Sequence, residues 1–204
     1  MKLHEALAEL RKTEKRKFSQ SVDLVINLRG IDIKKENIAG IFEVPHKIKD
    51  KKVCGFLNEK SNLVRTITKL DFAKYKDKKA LKKLVGECDF FVASASLMPL
   101  VAATFGRVLG PAGKMPSPQL GILMQENEKT IEELLKKIDK SVKVRAKEPS
   151  IKLMIAKEDM SDEQIMHNIT TAYNAILNML PNKKENIRSI MIKFTMTKPL
   201  KVEM

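Results

Sequence analysis

Gly106-Arg107-Val108-Leu109-Gly110-Pro111-Ala112-Gly113-Lys114-Met115-Pro116-Ser117-Pro118-Gln119 is the stretch on which the reading of this chain turns. It holds three of the eight glycines and three of the eight prolines. Glycine admits positive φ, and proline fixes φ while removing a backbone donor, so the run predicts neither regular helix nor strand. It predicts a shaped loop, Gly110 and Gly113 included, that holds two cations, Arg107 and Lys114, on a stiff backbone. Such loops carry function more often than core elements do. The spacing excludes a phosphate-binding loop. The glycine required five residues before Gly113 is Val108, and Met115 rather than Ser or Thr follows Lys114. A rigid surface connection without a ligand and a family signature both stay open.

Outward from this loop the pattern is α/β. Residues 98–109 are apolar at helical spacing, and 126–140 place Ile131, Leu134, Leu135 and Ile138 on one helix face. Short apolar runs at 53–57, 64–67, 89–93 and 121–124 read as strands. Residues 73–84 read as a lysine-rich helix with Leu81 and Leu84 on its buried side. Apolar strands alternating with helices imply a parallel sheet covered on both faces.

The chain ends differ in style. Leu3, Ala6, Leu7 and Leu10 predict a helix from 3 to about 16, with Arg11, Lys12, Lys15, Arg16 and Lys17 gathered at its end, where cations suit the macrodipole. Residues 18–28 alternate, with Val22, Leu24 and Ile26 on one side, as a half-buried strand does. Strands are also expected at 41–44, 142–145, 151–155 and 187–194. Ser161 followed by Gln164 forms a capping box for a helix that stops at Pro181. The fold expected is α/β with two domains. Residues 1–50 and 141–204 make a discontinuous split α+β domain, and residues 51–140 an inserted parallel three-layer α/β domain of Rossmann-like type. The outer segments carry 22 basic and 15 acidic residues and the insert 17 and 10, so charge does not choose between them.

The 204 residues carry a net charge of +14 with 43% hydrophobic content, which excludes general disorder and favours a polyanionic partner. No apolar run approaches the length of a membrane helix, and the N-terminus has no apolar leader, so a cytoplasmic protein is expected. Cys54 and Cys88 lie among apolar residues and are read as reduced core thiols. His4, His46 and His167 are scattered, with no metal or nucleophile pattern. No cofactor is expected.

Residues 106–118 resemble the signature of the ribosomal protein L-one family, the stalk protein of the large ribosomal subunit. Asp89-Phe90-Phe91-Val92-Ala93 and Leu97-Met98-Pro99-Leu100 are similar to its archaeal branch. Lys17-Phe18-Ser19-Gln20-Ser21-Val22 and Gly30-Ile31-Asp32 resemble its first strand, and Arg188-Ser189 and Thr195-Met196 its last strand and strand end. The resemblance spans essentially the whole chain.

It implies an RNA-binding protein rather than an enzyme, with two domains, the first built from both chain ends. The implied partners are rRNA of the mobile stalk near the tRNA exit site, the protein's own mRNA, which many members repress, and tRNA at that site. A free monomer without membrane attachment is implied. The implied RNA contacts are Lys17, Phe18, Gln20 and Ser21, then Lys152 and Lys157, then Arg188, Ser189, Thr195, Met196 and Thr197. The family has glycine where Thr197 stands, so the backbone here must take an ordinary conformation or the contact must loosen. Phe18 and Met196 read equally as core residues, and Arg107 and Lys114 as RNA contacts or loop braces. The rival class is an enzyme holding a nucleotide at the insert's strand ends, although no Gly-x-Gly-x-x-Gly follows any strand.

Overall fold

The computed structural model describes residues 1–13, 16–32, 36, 38–75, 77–118, 120–146 and 148–203. Lys15 and Gln119, named above in the first helix end and the signature, lie outside these. In chain order the elements begin with α1 (Leu3–Arg11), β1 (Ser21–Leu28) and β2 (Ala39–Glu43). Next come β3 (Val53–Phe56), β4 (Arg65–Ile67), a 3-10 turn at Lys69–Tyr75, α2 (Lys78–Glu87), β5 (Phe90–Ser94), α3 (Met98–Ala112), β6 (Ile122–Leu123) and α4 (Glu128–Lys140). The chain closes with β7 (Ser141–Arg145), β8 (Ser150–Lys157), α5 (Asp162–Met179), a 3-10 turn at Lys183–Asn186, β9 (Ile187–Phe194) and β10 (Leu200–Val202). Contacts divide it into two compact units, residues 1–49 with 140–204 and residues 50–139.

The first unit is an antiparallel sheet ordered β10-β9-β1-β8, with α1 and α5 on one face. The alternation in β1 buries Val22, Leu24, Ile26 and Leu28 against Ala6, Leu7 and Leu10 of α1 and Ile165, Ile169, Ala172 and Ile176 of α5. Each of these valine, leucine and isoleucine side chains contributes about 1.5–3 kcal/mol relative to exposure. The opposite β1 face, Ser21, Asp23, Val25 and Asn27, is half-buried. Ser161 and Gln164 form the expected capping box at the start of α5. The strands β7 and β8 adjoin in sequence but belong to different sheets: β7 pairs with β2 and β8 with β1.

Three boundaries differ from the sequence reading. Helix α1 stops at Arg11, whose guanidinium turns to the Asp162 carboxylate and donates to the Met160 carbonyl at 2.8 Å, so Arg16 and Lys17 lie beyond the helix. The expected helix at 73–84 is a 3-10 turn followed by α2, because Asp77 leaves the helix to cap it, accepting from the Lys79 amide. The third strand element beside β9, β10, was not expected after Pro199. It pairs with β9 from Leu200 to Val202.

The second unit is a parallel sheet ordered β4-β3-β5-β6. One face packs Phe56, Phe91 and Ala93 against Leu81 and Leu84 of α2 and Val101, Phe105 and Leu109 of α3. The other packs Leu57, Val64 and Leu123 against Ile131 of α4. Phe56 stacks on Phe91 with ring centroids 5.7 Å apart and meets Phe105 at 5.0 Å.

The signature run is helical for longer than its glycines and prolines suggest. Helix α3 continues through Gly106 and Gly110 to Ala112, with Pro111 in its last turn. There the hydrogen-bond ladder is already ending, so the missing donor removes one bond only. Gly113 closes the helix at φ 69°, with its amide donating to Gly110 O and the Lys114 amide to Leu109 O. That left-handed residue favours glycine. Gly121 is needed for a close approach, since a Cβ there would lie 2.9 Å from the Ser117 nitrogen.

The cysteines are not reduced. Cys54 and Cys88 form a disulfide. Parallel pairing of Val53 with Phe90 brings Cys88, just before β5, beside Cys54 on β3, a proximity invisible across 34 residues of sequence. Loop closure over that separation is worth about 3–4 kcal/mol. Reduction is therefore expected to raise hydrogen exchange at the β3 and β5 amides by a corresponding margin. Equal protection with and without reductant would show that the bridge adds nothing.

Candidate nucleic-acid interface

The register of β1 assembles most of the expected site at one end of the first sheet. Ser21 pairs with Lys157 on β8, and Val22 with Phe194 on β9. The chain segments entering β1 and leaving β9 therefore run side by side. The Ser21 amide donates to Thr195 Oγ1 at 2.9 Å, the two hydroxyls lie 3.0 Å apart, and the Thr195 amide donates to Ser21 O at 3.1 Å. The Met196 amide donates to Gln20 Oε1 at 3.2 Å. Gln20 is buried and paired through its own backbone with Glu158, which supplies an amide to Gln20 O and a carboxylate to Gln20 N. Ser19 donates to Asp159.

Beside this seam stand two apolar side chains that the core does not take up. Phe18 is 52% exposed and Met196 is 62% exposed. The alternative of core packing is thereby excluded for both. Exposed Lys17 and Lys157 lie at the same strand end. The surface thus offers apolar contact, hydroxyls and ammonium groups together, a set suited to sugar edges and phosphates.

Thr197 takes the ordinary conformation. It has no positive φ, and its hydroxyl closes the turn, accepting from the Phe194 amide at 2.9 Å and donating to Phe194 O. A side-chain hydrogen bond here does what backbone freedom would do for glycine.

The remaining expected residues stand apart. Lys152 lies mid-strand opposite Val25 and pairs with Glu148 at 3.3 Å, both exposed. Ser189 accepts from Asn27 Nδ2 at 3.0 Å, and Arg188 is exposed beside it. Six residue steps separate Ser189 on β9 from Thr195 just beyond it, about 20 Å at strand rise. Ser189, Lys152 and Ser21 share the open face of the sheet, so one long ligand spans them, whereas a small one does not. The sequence reading missed Glu158 and Asp159. Their only signal was acidity, and β8 pairing alone places them.

In the second unit Lys114 is a brace. Its Nζ donates to Val85 O at 2.6 Å and Cys88 O at 2.7 Å, satisfying carbonyls at the end of α2. Arg107 is exposed on α3, as is Gly110. At the carboxyl ends of β3 and β5, where chain direction diverges, Glu126 accepts from the amides of Asn58 and Glu59 and from Asn58 Nδ2. Burial pushes its carboxyl upward. Hydrogen bonds from Ser94 and from Asn58 and Glu59 outweigh that and hold it below the usual range. A carboxylate already occupies the amide donors that a nucleotide phosphate would seek.

Fold and site together describe a basic two-unit α/β protein with an ordered strand-end surface and no assembled set of catalytic groups among the described residues. Comparison with known proteins agrees. The model of the ribosomal protein L1p/L10e family matches residues 10–198. Relatives named large ribosomal subunit protein uL1 include that of Methanobrevibacter smithii, 34% identical with 94% of each chain covered. That of Pyrococcus horikoshii is 33% identical over 99% of this chain and 95% of its own. The chain belongs to this family.

Lys114→Met is expected to destabilise the protein by about 1–3 kcal/mol, since two carbonyls lose their donor, while Arg107→Ala stays within about 0.5 kcal/mol. Urea unfolding of the two variants checks the contrast. Equal stability would make Lys114 a surface lysine rather than a brace.

Proposed function

We propose that this protein is a constituent of the large ribosomal subunit in the cytoplasm that binds rRNA of the mobile stalk near the tRNA exit site. Binding runs through the β1/β9 strand end, with Lys17, Phe18, Gln20, Ser21, Lys157, Thr195, Met196 and Thr197 at its centre. Lys152, Arg188 and Ser189 extend it along the open sheet face. The observation that carries this reading is the exposure of Phe18 and Met196 on either side of a hydrogen-bonded seam. Apolar side chains held in place yet left open to solvent mark a contact surface, and here cations flank them.

The exposed groups have distinct roles. Lys17, Lys157 and Arg188 neutralise phosphates and set affinity. The Phe18 ring and Met196 thioether lie against sugar and base surfaces in a shallow minor groove. Gln20, Ser21, Thr195 and Thr197 position those two side chains. The same surface binds a similar structure in the protein's own mRNA and represses its translation, and the assembled stalk meets tRNA at the exit site. Family resemblance supports these two partners. The protein acts without catalysis, as a monomer when free.

Phe18→Ala and Met196→Ala are each expected to weaken binding to a stalk rRNA fragment by about 1–3 kcal/mol with unchanged circular dichroism, because neither side chain is core. Wild-type affinity should fall steeply with salt. Variants that bind like wild type, or a flat salt response, would move the interface elsewhere.

A further inference from the structure

Beside the strand end lies a groove of about 590 Å³ between the end of α1, the chain entering β1 and the segment from Met196 to Leu200. It shares Gln20, Met196 and Thr197 with the strand-end surface proposed above and adds cations that surface does not include. Its lining has three parts. Leu10, Leu200 and the Met196 side chain make an apolar wall. Lys12, Arg16 and Lys198 supply three cations against one acid, Glu9. None of the three forms an ion pair among the described residues.

The third part is Gln20. Its side chain is 2% exposed and lines the groove. The Met196 amide holds Gln20 Oε1, which turns the amide nitrogen away as the free end. That Nε2 has no protein hydrogen-bond partner among the described residues. An amide nitrogen carries two donors, so this one can serve an acceptor in the groove.

We propose that this groove receives a single unstacked nucleotide of the bound RNA. The base lies against the Met196 thioether and the two leucines, an acceptor on its edge takes the Gln20 Nε2 hydrogens, and its phosphate sits among Lys12, Arg16 and Lys198. Planar, weakly polar bases suit such a wall, and every base carries ring nitrogen or carbonyl acceptors. The volume falls within the ~300–1,000 Å³ of small-ligand sites. Met196 is shared, with one side toward the strand-end surface and the other toward the groove. The proposal rests on the RNA-binding reading for its ligand, while the groove chemistry stands separately.

The test is methyl NMR of the intact chain, labelled at Met and Leu and titrated with adenosine monophosphate, uridine monophosphate and inorganic phosphate. Both nucleotides are expected to shift the Met196 and Leu200 methyls saturably, with phosphate giving much smaller shifts. Joint Lys12→Ala and Lys198→Ala substitution should weaken nucleotide binding by about tenfold. Absence of shifts at these methyls overturns the proposal, as do equal shifts with phosphate, which would mean an adventitious ion only. A second arm measures binding of a stalk rRNA fragment to wild type and to a variant carrying Lys12→Glu and Lys198→Glu. Loss of about tenfold or more supports the groove. Tight wild-type binding that the variant matches overturns the groove and leaves the RNA reading standing. If wild type itself fails to prefer the fragment, the RNA reading falls, and the nucleotide titration still decides whether the groove takes a nucleotide.

Discussion

The antiparallel pairing of β1 with β8 on one edge and β9 on the other sets which side chains meet at the strand end. Side chains along a strand alternate between faces, so a slip of one residue would exchange the two faces entirely. The buried row Val22, Leu24, Ile26 and Leu28 prevents that slip, since it would place four apolar side chains in water and Asp23 and Asn27 in the core. Once that row is seated, Ser21 must face Lys157, and Thr195 must meet Ser21. The hydrophobic core thus determines the position of polar groups that it does not contain.

Those polar groups then act on one another before they act on any ligand. The Gln20, Ser21, Thr195 and Thr197 side chains all hydrogen-bond within the seam. Such bonds add about 0.5–1.5 kcal/mol each and lock two chain segments together. A locked backbone lowers the ordering cost of any contact made there, and it leaves Phe18 and Met196 exposed at the strand end. Sequence inspection assigns all of these residues one role, contact. The geometry separates Gln20, Ser21, Thr195 and Thr197, which hydrogen-bond to one another's segments, from Phe18 and Met196, whose side chains are exposed.

Much of the architecture was legible because burial leaves periodic traces. The alternation in β1, the three-to-four spacing in α1 and the capping box at Ser161 each follow from local rules that tertiary structure did not override. What escaped depends on partners distant in sequence. Helix α3 runs through Gly110 and Pro111 because a left-handed Gly113 closes it and Lys114 braces the neighbouring helix end. The disulfide needs the β3–β5 register, and β10 needs β9 as its template. The exposure of Phe18 could not be read from residue type, since a phenylalanine beside a strand is core far more often than surface.

Charge ends less evenly than composition suggests. With the observed unit boundaries, residues 1–49 and 140–204 hold 23 basic and 14 acidic residues, against 16 and 11 in residues 50–139. The expected equality came from placing Lys140 and Asp50 on the other sides of the boundaries. Within the second unit, moreover, key polar groups are already committed to internal bonds. Lys114 is tied to carbonyls of Val85 and Cys88, and Glu126 fills the amide donors at the sheet's carboxyl edge. A nucleotide phosphate arriving there would meet a carboxylate held ionised by its hydrogen bonds. In the first unit Lys17, Lys157 and Arg188 stand exposed, and Gln20 lines a groove that also holds Lys12, Arg16 and Lys198. The first unit thus carries the larger net charge and keeps these cations at its surface, where a polyanion could reach them.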